Sequence, residues 1–196
     1  MVLSKKDQFS LLSKNNPSKK IFNLIISQIP NSIFSKLDFL FFQEIIKKKI
    51  VSLYLIKKKN KLSSIITVTS VENYELLKKK IIIKLLINPL LIVTNINFLF
   101  NLISRNSKNI NSKYKNKYLH LLHLIIFKKT FFGNSLQKKD RILNFFFKKI
   151  IKINNANFFY LCYESDNFKA NKYYKRNNFV IYNKNKKTIF VKKRII

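Results

Sequence analysis

The chain has 196 residues, with 40 Lys and Arg against 8 Asp and Glu, and a formal net charge of +32. Because 47% of the residues are hydrophobic, the chain can build a core, and this composition excludes a disordered polybasic tail. A single cysteine, Cys162, excludes an internal disulfide framework, and the sequence has no paired Cys and His clusters for a structural zinc. We expect one domain over residues 1–196, in a reducing compartment.

The positive charge has two interpretations. It would attract RNA, DNA or anionic lipid. A chain rich in Lys, Asn, Ile and Phe, with one Gly and three Pro, is also typical of an AT-rich genome, in which lysine codons fill tolerant surface positions. Nucleic acid is therefore the less favoured partner, although the charge keeps it open.

The sequence indicates neither export nor a membrane span. The first twenty residues contain no continuous apolar segment and no small-residue cleavage site, so we expect a cytoplasmic protein. Residues 85–103 carry no charge and are long enough to cross a bilayer. They also contain Pro89 and several Asn residues that are costly in hydrocarbon. Two helices broken at Asn88 and Pro89 are favoured over a stable span.

In the first half of the chain, the period of the apolar residues changes between helix and strand. Residues 1–15 are polar without a strong period. Helical spacing then predicts helices over residues 18–27 and 32–48. Two runs rich in β-branched and aromatic residues, 50–56 and 62–70, predict an antiparallel hairpin with Asn60 as the strained turn residue. A helix over 72–87 follows, with further helices up to residue 104 and a polar connector over 103–117.

The last third predicts a β-α-β unit. Apolar runs at 118–127 and 157–164 have strand length, and a helix over 134–152 lies between them, after a loop that holds the only glycine. Two parallel strands need such a crossover. A short helix over 167–177 and two closing strands, 179–183 and 188–194, complete the chain. The predicted fold class is α/β with a mixed central sheet and extra helices between residues 72 and 104.

Residues 167–179, NFKANKYYKRNNF, form the most specific pattern. Its marked positions are Asn167, Ala170, Tyr173, Tyr174, Asn178 and Phe179. This segment resembles the pattern of the GNAT N-acetyltransferases, which have glycine where this chain has Asn178. Asn is the non-glycine residue best able to adopt a left-handed conformation at the end of a helix, so the difference is physically mild.

The loop TFFGNS, residues 130–135, resembles the pyrophosphate-binding loop of the same family, written Q/R-x-x-G-x-G/A. Thr130 stands where the family has a basic or amide residue, and Ser135 stands where it has the second glycine. The preceding Lys128 and Lys129 could supply the missing positive charge. The resemblance implies that backbone N–H groups at the start of a helix bind the diphosphate of acetyl-CoA. The loop residues assigned to this binding are Phe131, Phe132, Gly133, Asn134 and Ser135.

A third segment, residues 28–46, is similar to one found in a bacterial subset of these enzymes on the side that meets the acceptor. Ile29 and Asp38 stand there in place of Phe and Gly. The three segments occur in family order and frame almost the whole chain.

The resemblance implies an acetyl-CoA-dependent N-acetyltransferase, with acetyl-CoA as co-substrate and a small-molecule, sugar-amine or peptide primary amine as acceptor. In the family, the strands corresponding to residues 118–127 and 157–164 splay apart and hold the pantetheine arm. Backbone amides near Ile125 would polarise the thioester carbonyl. Asn167 would hydrogen-bond the arm or the substrate, and Tyr174 would be the general acid that protonates the departing coenzyme A thiolate.

The general base is left open. His120 and His123 are three residues apart in a strand, which predicts that they point to opposite faces and cannot act as a pair. Glu164, at the end of the following strand, and a chain of water molecules are the alternatives.

Other interpretations also stay open. Tyr174 could serve to pack its helix against the sheet without any catalytic role, and Asn167 could be an N-cap without any binding role. The whole chain could be a basic RNA-binding protein of ribosomal type. It could also be a catalytically inactive GNAT-like domain, because Thr130 and Ser135 differ from the family's pyrophosphate-binding loop.

Overall fold

The computed structural model describes residues 9–30, 34–35, 37–87, 117–127, 130, 135–184, 186 and 188–194. Its elements, in chain order, are β1 (Phe9–Lys14), α1 (Lys19–Gln28), α2 (Phe39–Lys47), β2 (Ser52–Lys58), β3 (Lys61–Ser70), α3 (Val71–Ile87), β4 (Tyr118–Ile126), α4 (Leu136–Ile153), β5 (Phe158–Glu164), α5 (Phe168–Arg176), β6 (Val180–Lys184) and β7 (Thr188–Arg194). The strands form one sheet in the order β1-β2-β3-β4-β5-β7-β6.

All neighbouring strands in this sheet are antiparallel except β4 and β5, which are parallel. The helix α4 connects these two strands, as the crossover of a β-α-β unit requires. The predicted mixed α/β sheet is confirmed. Of the extra helices predicted between residues 72 and 104, α3 is described, while residues 88–104 and most of the predicted connector lie outside the described residues.

The first part of the chain contains one strand that was not predicted and one helix whose predicted start is wrong. The polar start contains the strand β1, which pairs antiparallel with β2 at the edge of the sheet. None of the six residues of β1, FSLLSK, is fully buried, so the strand carries little hydrophobic signal. The second helix begins at Phe39, not at residue 32. Asp38 is the N-cap of this helix, because its Oδ1 accepts a 2.7 Å hydrogen bond from the Phe41 backbone N–H.

The hairpin between β2 and β3 confirms the predicted turn. Lys59 and Asn60 connect the two strands, and both have positive φ, 45° and 63°. Two-residue hairpin turns of this kind follow the right-handed twist of the strands, and Asn tolerates the left-handed region. The turn sets the register of the first two pairs of β2 and β3, and a bulge between Ile56 and Lys57 then shifts the register by one residue.

Separate hydrophobic cores cover the two faces of the sheet. On one face, α1, α2 and α3 pack on β2, β3 and β4 through residues such as Phe42, Leu77 and Ile125. On the other face, α4 packs on the strands through Phe146 and Phe147, and α5 joins this core through its two tyrosines. Among the described residues, no helix is long and apolar enough to cross a membrane.

Candidate active site

The parallel strands β4 and β5 separate after a short paired segment. They pair from Tyr118 opposite Phe158 to His120 opposite Tyr160, and no further pair joins them in the described residues. β4 nevertheless continues to Ile126 and β5 to Glu164, because β3 and β7 still pair with their outer edges. A gap therefore opens between the two strands toward their carboxyl ends.

Backbone groups line this gap. The Phe127 N–H donates to the Ser63 carbonyl on the β3 side at 2.9 Å. Since alternate residues of a strand point to opposite edges, Ile125 also bonds toward β3, and Leu124 and Ile126 present their backbone groups to the gap. The Asn157 N–H donates to the Lys117 carbonyl at 2.8 Å, on the closed side of the gap.

The same alternation applies to β5. Because Asn157 bonds toward β4, Leu161 and Tyr163 also direct their backbone groups that way, into the gap. These groups can pair with an extended ligand as a neighbouring strand would. The Ile125 carbonyl accepts a 2.7 Å hydrogen bond from Ser64 Oγ on β3, so the nearest backbone groups that face the gap are those of Leu124 and Ile126. That amides near Ile125 bind a ligand stays a prediction.

A β-bulge lies in β4 where the gap opens. The register passes from Thr67 opposite His123 to Val68 opposite Leu121, so Leu122 is the extra residue. A bulge interrupts the alternation of side chains. As a result, His120 and His123 lie on the same face of the sheet, and the prediction that they point to opposite faces is wrong.

The two histidines have different neighbours on that face. The His120 ring lies 4.2 Å from the Tyr74 ring and 4.7 Å from the Tyr160 ring. The His123 ring lies 4.8 Å from the ring of Phe34, and its Nδ1 shares a 2.7 Å hydrogen bond with Thr67 Oγ1. Burial lowers the pKa of His123 to about 3, so its imidazole is neutral at physiological pH and accepts a proton poorly.

The helix α4 begins at the open end of the gap. Thr130 closes the turn after β4, with its N–H and its hydroxyl both donating to the Phe127 carbonyl, at 3.1 and 2.7 Å. Ser135 is the N-cap of α4, and its Oγ accepts from the Lys138 N–H at 3.2 Å. The first turn contains no acidic residue. The predicted loop residues Phe131, Phe132, Gly133 and Asn134 lie outside the described residues.

The helix α5 also begins at this end of the sheet, directly after β5. Asn167 is its exposed N-cap, and its Oδ1 accepts a 3.0 Å hydrogen bond from the Ala170 N–H. Capping thus engages the side-chain oxygen of this exposed residue. At the other end, Asn178 has a φ of 59°, which confirms the left-handed conformation expected where the resembling pattern has glycine.

The half-buried ring of Tyr174 packs against three aromatic rings, at 5.3 Å from Tyr163, 5.2 Å from Tyr173 and 5.0 Å from Phe179. Tyr163 belongs to β5, whose backbone lines the gap. Burial raises the pKa of Tyr174, and the neighbouring Cys162 and Tyr163 raise it further. The phenol is therefore protonated at neutral pH, and its burial makes it a weaker acid than a free tyrosine.

Polar contacts hold α5 against α4. The Arg176 guanidinium bonds both carboxylate oxygens of Asp140, at 2.5 and 3.2 Å. The Asn144 side chain donates to Asn177 at 3.1 Å and accepts from Lys193 Nζ at 2.8 Å. The sequence analysis missed these residues, because they lie far apart in the chain and no local pattern indicates that the two helices bring them into contact.

Comparisons with solved structures agree with this geometry, whereas comparisons of the sequence find no match. No protein-family model and no curated protein matches the sequence. Among solved structures, the Campylobacter jejuni N-acetyltransferase PseH superposes with a TM-score of 0.51 at 16% identity, over 95% of this chain and 97% of that chain. The Vibrio cholerae spermidine N-acetyltransferase, solved with CoA and spermine, gives 0.54 at 13% identity over 96% of both chains.

A GNAT-family acetyltransferase from Listeria monocytogenes also superposes, with a TM-score of 0.50 at 12% identity over 94% of each chain. Many other structural neighbours are also acetyltransferases of the GNAT family. The chain has the GNAT acetyltransferase fold, as the sequence resemblance predicts.

Proposed function

We propose that the protein is an acetyl-CoA-dependent N-acetyltransferase that acts on the primary amine of a small-molecule, sugar-amine or peptide acceptor. The observation that carries the proposal is the gap between β4 and β5, which opens toward the starts of α4 and α5, with the Tyr174 ring packed on Tyr163 of β5. A structural neighbour, PseH, has been solved in complex with acetyl coenzyme A, which supports the same co-substrate here.

The pantetheine arm would lie in the gap and pair with the exposed backbone groups of Leu124, Ile126 and Leu161. The diphosphate would sit at the start of α4, where the N–H groups of a first turn favour negative charge. Residues 131–135 would supply these groups, and Lys138 and Lys139 add positive charge nearby. The Asn167 amide would hydrogen-bond the arm or the substrate.

In the reaction, the amine nitrogen attacks the thioester carbonyl carbon and forms the new C–N bond. Amides in the Leu124–Ile126 stretch would stabilise the negative charge that develops on the carbonyl oxygen. The C–S bond then breaks, the coenzyme A thiolate takes a proton from the Tyr174 hydroxyl, and a proton from solvent restores the phenol. The products are the N-acetylated acceptor and coenzyme A.

The amine must also lose a proton to a base. The lowered pKa of His123 and its bond to Thr67 disfavour that residue. His120, the exposed Glu164 at the carboxyl end of β5 and a water chain are the remaining acceptors for this proton.

Isothermal titration with acetyl-CoA tests the proposal, beside coenzyme A and an unrelated nucleotide. The salt concentration must be high enough to screen adventitious phosphate binding to a chain of net charge +32. We expect saturable binding at one site per chain, with acetyl-CoA preferred over the nucleotide. Absence of such binding would reject the enzyme and leave an inactive domain or an RNA-binding protein. Affinity for RNA that falls steeply with salt would identify the latter.

Tyr174→Phe tests the general acid. Once a panel of primary amines gives turnover, released thiol measures the rate. We expect kcat to fall by about 10²-fold or more, because general acid catalysis typically contributes that much, while binding of acetyl-CoA and the melting temperature stay unchanged. Tyr118→Phe is the matched control, since Tyr118 lies at the closed end of the gap, stacked on Phe158 at 4.8 Å. Full turnover in Tyr174→Phe would remove the assignment.

A further inference from the structure

One face of the sheet beside the gap is left open by the described helices. On the face that α4 and α5 cover, Leu161, Tyr163 and Val191 are buried in the core. On the opposite face, α1, α2 and α3 pack on β2, β3 and β4. Beyond the contact of Val71 with Tyr160, the cores of the described residues place no helix over β5, β7 and β6 on that face. Among the described elements, this side therefore offers the acceptor its approach to the gap.

Aromatic side chains line this approach. Tyr160 of β5 lies opposite Lys192 of β7, and residues directly opposite each other share a face of the sheet. Phe190, two residues from Lys192 along β7, lies on the same face. Tyr182 of β6 joins them, with its ring 5.6 Å from Tyr160 and 6.2 Å from Phe190. These three rings form what we call the aromatic floor, and those of Tyr182 and Phe190 are half-buried, so a ligand can reach them.

The aromatic floor is neutral and suits the ring of an acceptor. Burial raises the pKa of Tyr182 to about 12, so its phenol is uncharged at neutral pH. Accessible aromatic rings pack on the flat or apolar faces of ligand rings. The acceptor's ring can therefore lie on Tyr182 and Phe190 while its amine points toward the gap beside β5.

Positive charge borders the aromatic floor. The Nζ of Lys192 lies 5.7 Å from the centroid of the Tyr182 ring. Arg194, opposite Phe158, is exposed on the same face two residues further along β7. The only described carboxylate of β5, β6 and β7 belongs to Glu164, at the other end of β5. Two cations on one strand attract the double charge of a phosphate and repel a polycation.

We propose that the acceptor is a primary amine whose ring packs on the aromatic floor and whose phosphate binds Lys192. This inference rests on the proposed function and narrows its acceptor to one class, cyclic amines that carry a phosphate. It assigns Lys192 and Tyr182 as residues that determine specificity.

Steady-state turnover of matched amines tests the inference. Glucosamine 6-phosphate is compared with glucosamine, and O-phosphotyramine with tyramine, since each pair differs by one phosphate, while spermidine serves as the polycation. Released thiol measures the rate at saturating acetyl-CoA and at an ionic strength of about 0.15 M, which largely screens charges more than about 8 Å away. We expect the phosphate to raise kcat/KM by about tenfold or more, the usual effect of one charge-assisted hydrogen bond. Spermidine should give the lowest value.

Substitutions on this face locate the specificity. Lys192→Met should reduce the preference for phosphate to within about threefold and change kcat/KM for glucosamine and tyramine by less than about twofold. Lys152→Met is the matched control, because it removes the same charge from the exposed last turn of α4, on the other face of the sheet, and should keep the full preference. Tyr182→Leu should raise KM for all four cyclic amines by about threefold or more.

Each other result overturns a definite statement. Equal kcat/KM within both pairs, or the highest value for spermidine, would overturn the inference and leave the proposed function standing. Binding of acetyl-CoA without turnover of either phosphorylated amine would do the same. These comparisons need only the wild-type chain, so they stand even where a variant does not fold. A preference for phosphate that survives in folded Lys192→Met would place the phosphate elsewhere and also overturn the inference. A wild-type chain that binds no acetyl-CoA would overturn both proposals.

Discussion

Acidification from pH 7 to pH 5 should destabilise the fold through one buried imidazole, that of His123. Its side chain is 5% exposed, packs against Phe34 and shares a hydrogen bond with Thr67. Burial lowers its pKa from 6.5 to about 3. The folded chain therefore keeps this ring neutral at pH 5, whereas the unfolded chain protonates it.

The sign and size of the effect follow from proton linkage. Between pH 6.5 and pH 3 the unfolded state binds more protons at this site than the folded state, so the free energy of unfolding falls as the pH falls. With these two pKa values, the step from pH 7 to pH 5 lowers the free energy of unfolding by about 2 kcal/mol.

Urea unfolding of the wild-type chain and of His123→Asn at both pH values measures this contribution. Asn does not titrate, and its amide occupies a position close to that of Nδ1, within reach of Thr67. His120 and the carboxylates are common to both chains, so they cancel in the comparison. We expect the wild-type chain to lose about 2 kcal/mol more than the variant. Equal losses would refute the reasoning, since His123 would then bind a proton as readily in the folded state as in the unfolded one.

Two further predictions concern α5. Arg176→Met leaves the carboxylate of Asp140, 11% exposed, without its partner, and should lower the free energy of unfolding by about 1–2 kcal/mol, less than for a fully buried pair because Arg176 is 42% exposed. In an Asp140→Asn background the same change should cost less than half as much, and additive losses in urea unfolding would contradict the ion pair. Asn178→Ala should cost about 1 kcal/mol, while Asn178→Gly should cost nothing, because only the alanine side chain is strained at a φ of 59°. Equal losses in thermal unfolding would show that this backbone conformation carries no strain.

The charge of the chain affects every binding assay on this protein. Among the described residues, ion pairs with lysine or arginine hold the carboxylates of Asp38, Glu44, Glu75 and Asp140. The whole chain has 8 Asp and Glu against 40 Lys and Arg. Most of the positive charge is therefore uncompensated by the chain itself and will attract any phosphate at low salt. A preference for acetyl-CoA over an unrelated nucleotide at high salt distinguishes a specific binding site from this general attraction.

The sequence by itself determined the elements that local period and local chemistry specify. The helix α4, the strands β4 and β5, the turn at Asn60 and the left-handed residue Asn178 were all predictable, because each depends on neighbouring residues. The segment from Asn167 to Phe179 also predicted the GNAT fold, through its resemblance to the pattern of that family.

Tertiary structure alone decided the features that depend on a partner distant in sequence. The edge strand β1 exists because β2 offers it hydrogen bonds, and its own sequence shows little alternation. The bulge at Leu122 comes from the register with β3, and it moves His123 to the face of His120. The pairing of Asp140 with Arg176 likewise needs α4 and α5 packed together. The gap between β4 and β5, on which the proposed function rests, also depends on distant partners. It forms because β3 and β7 pair with the outer edges of β4 and β5 where these two strands no longer pair with each other.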